Sequence, residues 1–269
     1  MFGHSWTRGA TAALSLMLAL PAAARSAVMT TVPASANTPA VAVYVAIPND
    51  AKQHPAVLLL HGCGGFSGFE AVAADRLAAR GYVGVALDAL GPKQPHGACE
   101  AGPAGSHAEA VAALATLRWL RTQAYVDPDR LALIGFSMGA KAVLDIIDPI
   151  GTTLPPPPGL RVAIAYYPAC AGHDGSITIP LAIFDGDADN VTPAAPCAAL
   201  VKAATAAGKS ATITTYAGAT HGFDVPGPER TFYGEPIRFD PIAAADSVRQ
   251  AAALLARYLG EQAASPSGR

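Results

Sequence analysis

An open α/β fold, in which helices cover both faces of a mostly parallel sheet, is predicted from three observations. Apolar runs of strand length alternate with helical patterns along the chain, which is typical of parallel sheets joined by helices. Two of these runs, residues 55–60 and 131–136, are unbroken, as expected for strands buried on both faces. Reactive side chains follow the ends of several strands, which is where open α/β sheets place their function.

The order of elements follows from these patterns. Strands are predicted at residues 40–47, 55–60, 82–87, 131–136, 162–167, 181–184 and 211–216, and helices at residues 69–80, 106–123, 140–147, 193–207 and 241–259. Residues 91–105 are rich in Pro and Gly and have no periodicity, so they predict a loop over the site. Residues 127–130 predict a turn, because Pro128 fixes the bend.

The N-terminal stretch, residues 1–26, is typical of a secretory signal peptide. Arg8 precedes the apolar run 10–20, and Pro21 and a series of small residues follow it. The run is too short to span a bilayer comfortably, so an uncleaved membrane anchor is the weaker interpretation. Cleavage is expected after Ala24 or Ser26, and the protein is expected to be periplasmic or secreted.

Residues 27–269 are then expected to form a single domain, since this length is usual for one α/β core. The formal net charge is −2 and charged residues make up 14% of the chain, which disfavours nucleic acid or an anionic membrane as a partner. Small neutral or mildly charged substrates fit this composition better. A monomer with no membrane contact after signal cleavage is expected.

A Gly-x-Ser-x-Gly motif, residues 135–139, joins the predicted strand 131–136 to the helix that follows it. At this sharp turn, side chains at positions 135 and 139 would collide with neighbouring backbone, which explains the two glycines. Ser137 is therefore predicted to be the nucleophile at the turn. The alternative is a glycine-rich turn with Ser137 as a helix N-cap.

Two further residue types complete a catalytic triad in chain order. Asp189 lies in the segment after strand 181–184, and His221 follows strand 211–216. Serine, acid and histidine in that order are typical of the α/β-hydrolase fold. His221 would remove the serine proton, and Asp189 would orient and stabilise the imidazole. Asp185 and Asp187 share the loop with Asp189 and remain alternatives for the acid, and a structural role remains the alternative for His221.

The oxyanion formed during acyl transfer needs two N–H donors. The residue after the nucleophile, Met138, and Cys63, in the loop after strand 55–60, are predicted to supply them. Gly64 and Gly65 would let this loop approach the substrate, although a tight turn without a catalytic role fits the same pattern. His61 is expected to hydrogen-bond the loop rather than react.

Taken together, several short motifs resemble the dienelactone hydrolase family. They are residues 61–65 (HGCGG), 81–83 (GYV) before Asp88, 126–128 (VDP), 166–170 (YYPAC), Asp189 and 221–223 (HGF). The resemblance extends from about Val41 to Leu259 and implies a carboxylic ester or lactone hydrolase without a cofactor. Dienelactone hydrolase itself carries a cysteine nucleophile where this chain has Ser137, which favours general ester hydrolysis over dienelactone.

The four cysteines, Cys63, Cys99, Cys170 and Cys197, lack the close spacing of a zinc or redox site. In an exported protein they favour two disulfides. In the usual strand order of the fold, the strands that precede Cys63 and Cys99 lie side by side, as do those that precede Cys170 and Cys197. This order predicts the pairs 63–99 and 170–197. The alternatives are a reactive thiol at Cys63 and a metal site formed by His96, Cys99, His107 and His173, and no metal is expected.

The sequence thus predicts a serine hydrolase that cleaves carboxylic esters or lactones through an acyl-enzyme. Phe66, Phe136, Tyr166 and Tyr167 are the predicted substrate-binding side chains. A serine peptidase or amidase of the same fold is one alternative, although such enzymes usually carry an additional domain. A non-catalytic protein that binds small molecules is another, and the presence of all three triad residues disfavours it.

Overall fold

A central sheet of eight strands dominates the computed structural model, which describes residues 26–35, 38–91, 99, 103–148 and 155–260. Its strands are β1 (Ser26–Val32), β2 (Val41–Ile47), β3 (His54–Leu60), β4 (Val83–Asp88), β5 (Val126–Phe136), β6 (Leu160–Tyr166), β7 (Leu181–Gly186) and β8 (Ala211–Tyr216). They lie in the order β1-β2-β4-β3-β5-β6-β7-β8. The pairs from β4 to β8 are parallel, and β2 pairs antiparallel with both of its neighbours.

Five helices and a small hairpin accompany the sheet within the described ranges. The helices are α1 (Gly68–Ala79), α2 (Pro103–Leu120), α3 (Met138–Ile147), α4 (Ala194–Ala206) and α5 (Pro241–Leu259), and the hairpin strands are β9 (Arg230–Phe232) and β10 (Glu235–Ile237). Capping residues explain where α1 and α5 begin. Ser67 and Glu70 form a capping box before α1, and Asp240 caps α5, whose first residue is Pro241.

The helices cover the sheet on both faces, as β3 illustrates. Ala56, Leu58 and Leu60 belong to the core formed with α2, α3 and α4. Val57 and Leu59 belong to the core formed with α1 and α5. Every residue of β3 is buried, which explains why its sequence is an unbroken apolar run. The predicted fold class is therefore confirmed.

The structure differs from the predicted elements at several positions. Strand β5 extends back to Val126 and includes the predicted turn 127–130, where the Asp129 N–H still donates to the Asp127 carboxylate. Helix α2 begins at Pro103, inside the predicted loop 91–105, and residues 92–98 and 100–102 of that loop lie outside the described residues.

Strands β1, β9 and β10 were not predicted. Strand β1 pairs with β2 along its whole length, from Ser26 opposite Ile47 to Val32 opposite Val41. The predicted signal peptide lies outside the described residues except for Ser26, which begins β1. None of the described helices combines the length and apolarity needed to cross a bilayer.

Two disulfides join the pairs that the strand order predicts. Cys63 is bonded to Cys99 and Cys170 to Cys197, with Cα atoms 4.7 Å and 5.0 Å apart. The strands before each pair are neighbours in the sheet, β3 beside β4 and β6 beside β7. The first bridge lies beside the end of β3, where the candidate site is found.

Candidate active site

The strand-to-helix turn between β5 and α3 presents Ser137 at the carboxyl edge of the sheet. Ser137 has φ 53° and ψ −112°, a conformation that L-residues seldom adopt. A Cβ atom at Gly135 would lie 2.3 Å from the Gly139 carbonyl oxygen, and one at Gly139 would lie 2.4 Å from that of Leu60. Both glycines are therefore required for β5, the turn and α3 to pack this closely.

Ser137, His221 and Asp189 lie in one hydrogen-bonded chain. His221 Nε2 is 2.8 Å from Ser137 Oγ, and His221 Nδ1 is 2.7 Å from Asp189 Oδ2. His221 and Asp189 are both buried, whereas Ser137 lines an open cavity. With Nδ1 donating to the carboxylate, Nε2 of a neutral imidazole is free to accept the serine proton.

The Asp189 carboxylate is fixed by several donors besides His221. Its Oδ1 accepts the backbone N–H groups of Val191 at 2.9 Å and Thr192 at 2.8 Å, and its Oδ2 accepts the Thr192 hydroxyl at 3.0 Å. The same hydroxyl lies 3.0 Å from His221 Nδ1. These donors hold the carboxylate in a fixed orientation beside His221. Thr192 was not predicted as a site residue, although its place three residues after Asp189 is typical of a polar loop that turns back on itself.

The other two aspartates of the loop point elsewhere. Asp185 Oδ1 accepts the Gly186 N–H at 2.9 Å, and its Oδ2 is buried without a hydrogen-bond partner. Burial, reinforced by the nearby Asp189 charge, raises the pKa of Asp185 to about 8. Asp187 accepts the Gly218 N–H at 2.6 Å, which joins the loop after β7 to the loop after β8. Only Asp189 reaches the histidine.

Aromatic rings enclose His221. The Tyr167 ring lies 4.6 Å from the imidazole, and the Phe232 ring stacks on it at 6.1 Å. The Tyr167 hydroxyl donates to the Asp224 carboxylate at 2.7 Å, and burial raises the pKa of Asp224 to about 6. Sequence reasoning missed Phe232 and Asp224. The available signal for Phe232 was the Tyr-Gly dipeptide after it, whose positive φ angles of 50° and 82° form the two-residue turn between β9 and β10.

The loop after β3 lies directly against the serine turn. A Cβ atom at Gly62 would lie 3.7 Å from Ser137 Cβ, and the Gly139 N–H donates to the His61 carbonyl at 3.0 Å. Cys63 lines the cavity beside Ser137, and Met138 is the first residue of α3. The N–H groups in the first turn of a helix have no partner within that helix, which leaves the Met138 N–H available.

His61 holds this loop in place from within the protein. Its Nδ1 lies 2.7 Å from the Gly62 carbonyl, and its Nε2 lies 3.2 Å from the Ala89 N–H. These contacts assign the proton to Nδ1 of a neutral ring, and burial lowers the pKa of His61 in agreement. Glu109 Oε1 lies 3.6 Å from Nδ1, and burial raises the pKa of Glu109 well above its usual value. His61 therefore acts as a structural histidine.

A cavity of about 350 Å³ opens above Ser137. Phe136 and Tyr167, two of the predicted substrate-binding residues, line it. The other two lie elsewhere: Phe66 packs 6.3 Å from the Tyr44 ring, and Tyr166 lines a different cavity. Charged and aromatic side chains that were not predicted also contribute to the walls, namely Phe69, Glu70, Arg230 and Phe232.

No group of three or more His, Cys, Asp or Glu side chains in the described part of the chain is arranged to hold a metal ion. Of the residues considered as alternative ligands, His96 lies outside the described residues and Cys99 is in a disulfide. His173 lies 3.3 Å from Asp145 and 3.4 Å from Asp148, in a buried cluster away from Ser137.

The parallel sheet, the serine turn and the order of the residues at the strand ends define an α/β-hydrolase fold. The chain belongs to the dienelactone hydrolase family, whose profile matches residues 41–259. Since a dienelactone is a cyclic ester, membership identifies the chain as a carboxylic ester hydrolase. Among curated proteins, none matches the chain significantly in sequence.

Solved structures show the same fold. A protein described as a dienelactone hydrolase from Klebsiella pneumoniae is 21% identical, with a TM-score of 0.69 over 87% of this chain and 100% of its own. A thermophilic esterase from Thermogutta terrifontis is 22% identical, with a TM-score of 0.67 over 90% of this chain and 95% of its own. That esterase has also been solved with propionate bound, and phosphorylated by paraoxon.

Proposed function

We propose that the protein is a serine esterase that hydrolyses small carboxylic esters through a Ser137-His221-Asp189 triad. The observation that carries the proposal is the continuous hydrogen-bonded chain, 2.8 Å from Ser137 Oγ to His221 Nε2 and 2.7 Å from His221 Nδ1 to Asp189 Oδ2. A serine hydroxyl is a weak nucleophile at neutral pH, and a histidine oriented by a carboxylate is the usual means of activating it.

In the first half of the reaction, His221 Nε2 takes the Ser137 proton as Oγ bonds to the ester carbonyl carbon. The displaced π electrons form the oxyanion, for which the N–H groups of Cys63 and Met138 are the donors. When the tetrahedral intermediate collapses, the bond to the alcohol oxygen breaks, and His221 gives its proton to the leaving alkoxide. The product is an alcohol and an acyl-Ser137 ester.

In the second half, His221 removes a proton from water as the water oxygen attacks the acyl carbonyl. Collapse of this second intermediate releases the carboxylic acid and returns the proton to Ser137 Oγ. The ionised Asp189 stabilises the imidazolium in both halves, and its three other hydrogen bonds keep it oriented.

The size of the catalytic cavity supports a short substrate. Its volume of about 350 Å³ is near the lower end for small-molecule sites. Phe136, Phe232 and the disulfide between Cys63 and Cys99 contribute to its walls. We therefore expect short-chain esters and small lactones to be turned over better than long-chain esters. The related esterase solved with propionate is consistent with this size.

Export to the periplasm or the medium is part of the proposal. It is supported by the signal-like residues 1–26 and by the two disulfides, which are typical of oxidising compartments.

The proposal is tested by replacing Ser137 with Ala and by labelling the native enzyme with paraoxon. With p-nitrophenyl butyrate as substrate, S137A is expected to lose activity by about 10⁶-fold while circular dichroism stays unchanged. Mass spectrometry of the labelled native enzyme should find one diethylphosphoryl group, on the peptide that contains Ser137. An active S137A enzyme, or a label on another residue, would overturn the assignment. Peptide anilides, assayed in parallel, should be turned over far more slowly.

A further inference from the structure

A second cavity, larger than the catalytic one, lies between helices α1 and α5. Its volume is about 680 Å³, against about 350 Å³ for the cavity above Ser137. Apolar side chains from both helices form most of its walls, among them Val72, Leu77, Val248, Ala251, Ala252 and Leu255. We call this cavity the α1–α5 groove. Nothing in the proposed ester hydrolysis uses it.

The groove leaves apolar surface in contact with water. Val72 on α1 and Val248 on α5 are 48% and 47% exposed, so each of its helical walls carries a solvent-facing valine. Ala252 and Ala256 leave space in the groove on the α5 side, because a methyl side chain is small. A ligand that covered this surface would gain binding energy in proportion to the apolar area removed from water.

Two arginines give one end of the groove a positive charge. Arg76, in the last turn of α1, and Arg80, the C-cap residue that follows the helix, both line the groove and are four residues apart, so their side chains lie on the same side. The Arg80 guanidinium donates to the Arg76 carbonyl at 3.4 Å. In the described ranges, the ion pairs involve neither arginine. This end is suited to a carboxylate, since guanidinium groups bind carboxylates in paired hydrogen bonds.

The opposite end of the groove adjoins the catalytic cavity. Phe69, Phe136 and Val225 line both cavities and form the wall between them. Asp224 also lies at this end, where its carboxyl group accepts the Tyr167 hydroxyl and disfavours a second anion. From Phe69 to Ala79 helix α1 rises by about 15 Å, which gives an elongated groove that is cationic at the Arg76 end only.

We propose that the α1–α5 groove binds an amphiphilic carboxylate of the fatty-acid class. The carboxylate lies between Arg76 and Arg80, and the alkyl chain runs along the valine and alanine walls towards Phe69. Charge and apolar surface are separated along the groove in the same way as in such a ligand. The site is distinct from the catalytic serine, so ligand binding does not require the proposed ester hydrolysis to be correct.

Isothermal titration calorimetry with dodecanoate, kept below its critical micelle concentration, tests the proposal. The enzyme is first treated with paraoxon so that the serine site is blocked. One dodecanoate is expected to bind per chain. The double variant R76Q/R80Q should weaken dodecanoate binding by at least about tenfold and leave dodecanol binding unchanged, because only the carboxylate contacts are removed. R257Q, which changes an arginine of α5 outside the groove, is the matched control.

A second pair of variants tests the apolar part of the groove. A252W places a large ring in the groove and should abolish binding of both dodecanoate and dodecanol, whereas A253W, at the neighbouring exposed position, should not. Circular dichroism establishes that each variant is folded. Absence of saturable binding to paraoxon-treated enzyme would overturn the proposal, as would unchanged dodecanoate affinity in R76Q/R80Q. Binding that appears only with an unblocked serine would place the ligand in the catalytic cavity instead.

Discussion

Replacing Asp189 with Asn tests the central geometry of the site, because one atom of the side chain changes while its shape is retained. Asp189 Oδ1 accepts two backbone N–H groups, and the amide oxygen of Asn can accept the same two. The amide nitrogen must then take the place of Oδ2, 2.7 Å from His221 Nδ1. An NH₂ group in this position donates to Nδ1, which forces the imidazole proton onto Nε2.

A proton on Nε2 would block the proposed base function of His221. Nε2 lies 2.8 Å from Ser137 Oγ and can no longer accept the serine proton. The expected loss in kcat is roughly 10⁴-fold, as for the equivalent change in other triads. At about 1.36 kcal/mol per factor of ten, this corresponds to about 5.4 kcal/mol of lost transition-state stabilisation. KM should change little, since Asp189 is buried behind the histidine.

The assay is the kcat/KM of D189N, D187N and D185N on p-nitrophenyl butyrate, with circular dichroism to verify folding. Asp187 and Asp185 are matched controls, because they lie in the same loop and contact Gly218 and Gly186 rather than the histidine. Both controls are expected to stay within about tenfold of the native enzyme. A near-normal D189N, together with an inactive D187N or D185N, would refute the assignment of the acid.

Three further predictions concern stability and processing. Burial raises the pKa of Asp185 to about 8, so Asp185 keeps its proton in the folded state, whereas the unfolded chain releases it near pH 4. The free energy of unfolding should therefore fall by up to about 1.4 kcal/mol per pH unit as the pH rises from about 4 to about 8. Urea unfolding of D185N should lack this slope. Reduction of the disulfides, which close loops of 36 and 27 residues, should cost about 3 to 4 kcal/mol each, measured by calorimetry with and without reductant; an unchanged melting temperature would contradict this. N-terminal sequencing of exported protein should begin at Arg25 or Ala27, whereas an intact Met1 would exclude the signal peptide.

The parts of the fold that were predicted are those whose cause is local in sequence. Strand β3 is apolar at consecutive positions because helices bury both of its faces. The serine turn needs two glycines because a Cβ atom at Gly135 or Gly139 would lie only 2.3 Å or 2.4 Å from a backbone oxygen. Both causes restrict the residue types at these positions, so both can be recognised in the sequence. The positions of Ser137, Asp189 and His221 at strand ends were predictable for the same reason, since each follows a recognisable strand.

The three strands that were not predicted have no recognisable sequence pattern. Strand β1 lies at the edge of the sheet, and its apolar residues Val28 and Met29 are 51% and 48% exposed, so burial imposes no alternation on its sequence. Strands β9 and β10 have three residues each, which is too short for a period to be detected. Phe232 stacks on His221 only because the hairpin folds back across the site, a contact that depends on tertiary structure.

The neighbouring residues Tyr166 and Tyr167 also show that contacts set by tertiary structure cannot be predicted from the sequence. Tyr166 ends β6 and belongs to the core formed with α1 and α5, so the alternation of the strand directs it away from the catalytic cavity. Tyr167 has φ 43°, which breaks the alternation and brings its ring to 4.6 Å from His221. The sequence analysis predicted that both residues bind substrate, and only the backbone conformation distinguishes them.

The three aspartates at the end of β7 and in the loop that follows differ in the number of hydrogen-bond donors that reach them. Asp189 accepts from two backbone N–H groups, the Thr192 hydroxyl and His221, whereas buried Asp185 accepts from one N–H and has an oxygen without a partner. A buried carboxyl group with few hydrogen-bond donors and a second carboxylate nearby keeps its proton to a higher pH. Burial and the nearby Asp189 charge raise the pKa of Asp185 to about 8, so Asp185 is neutral at pH 7. It follows that D185N, which makes this neutrality permanent, should retain the native kcat/KM on p-nitrophenyl butyrate at pH 7, whereas a loss of more than about tenfold would show that Asp185 takes part in the reaction.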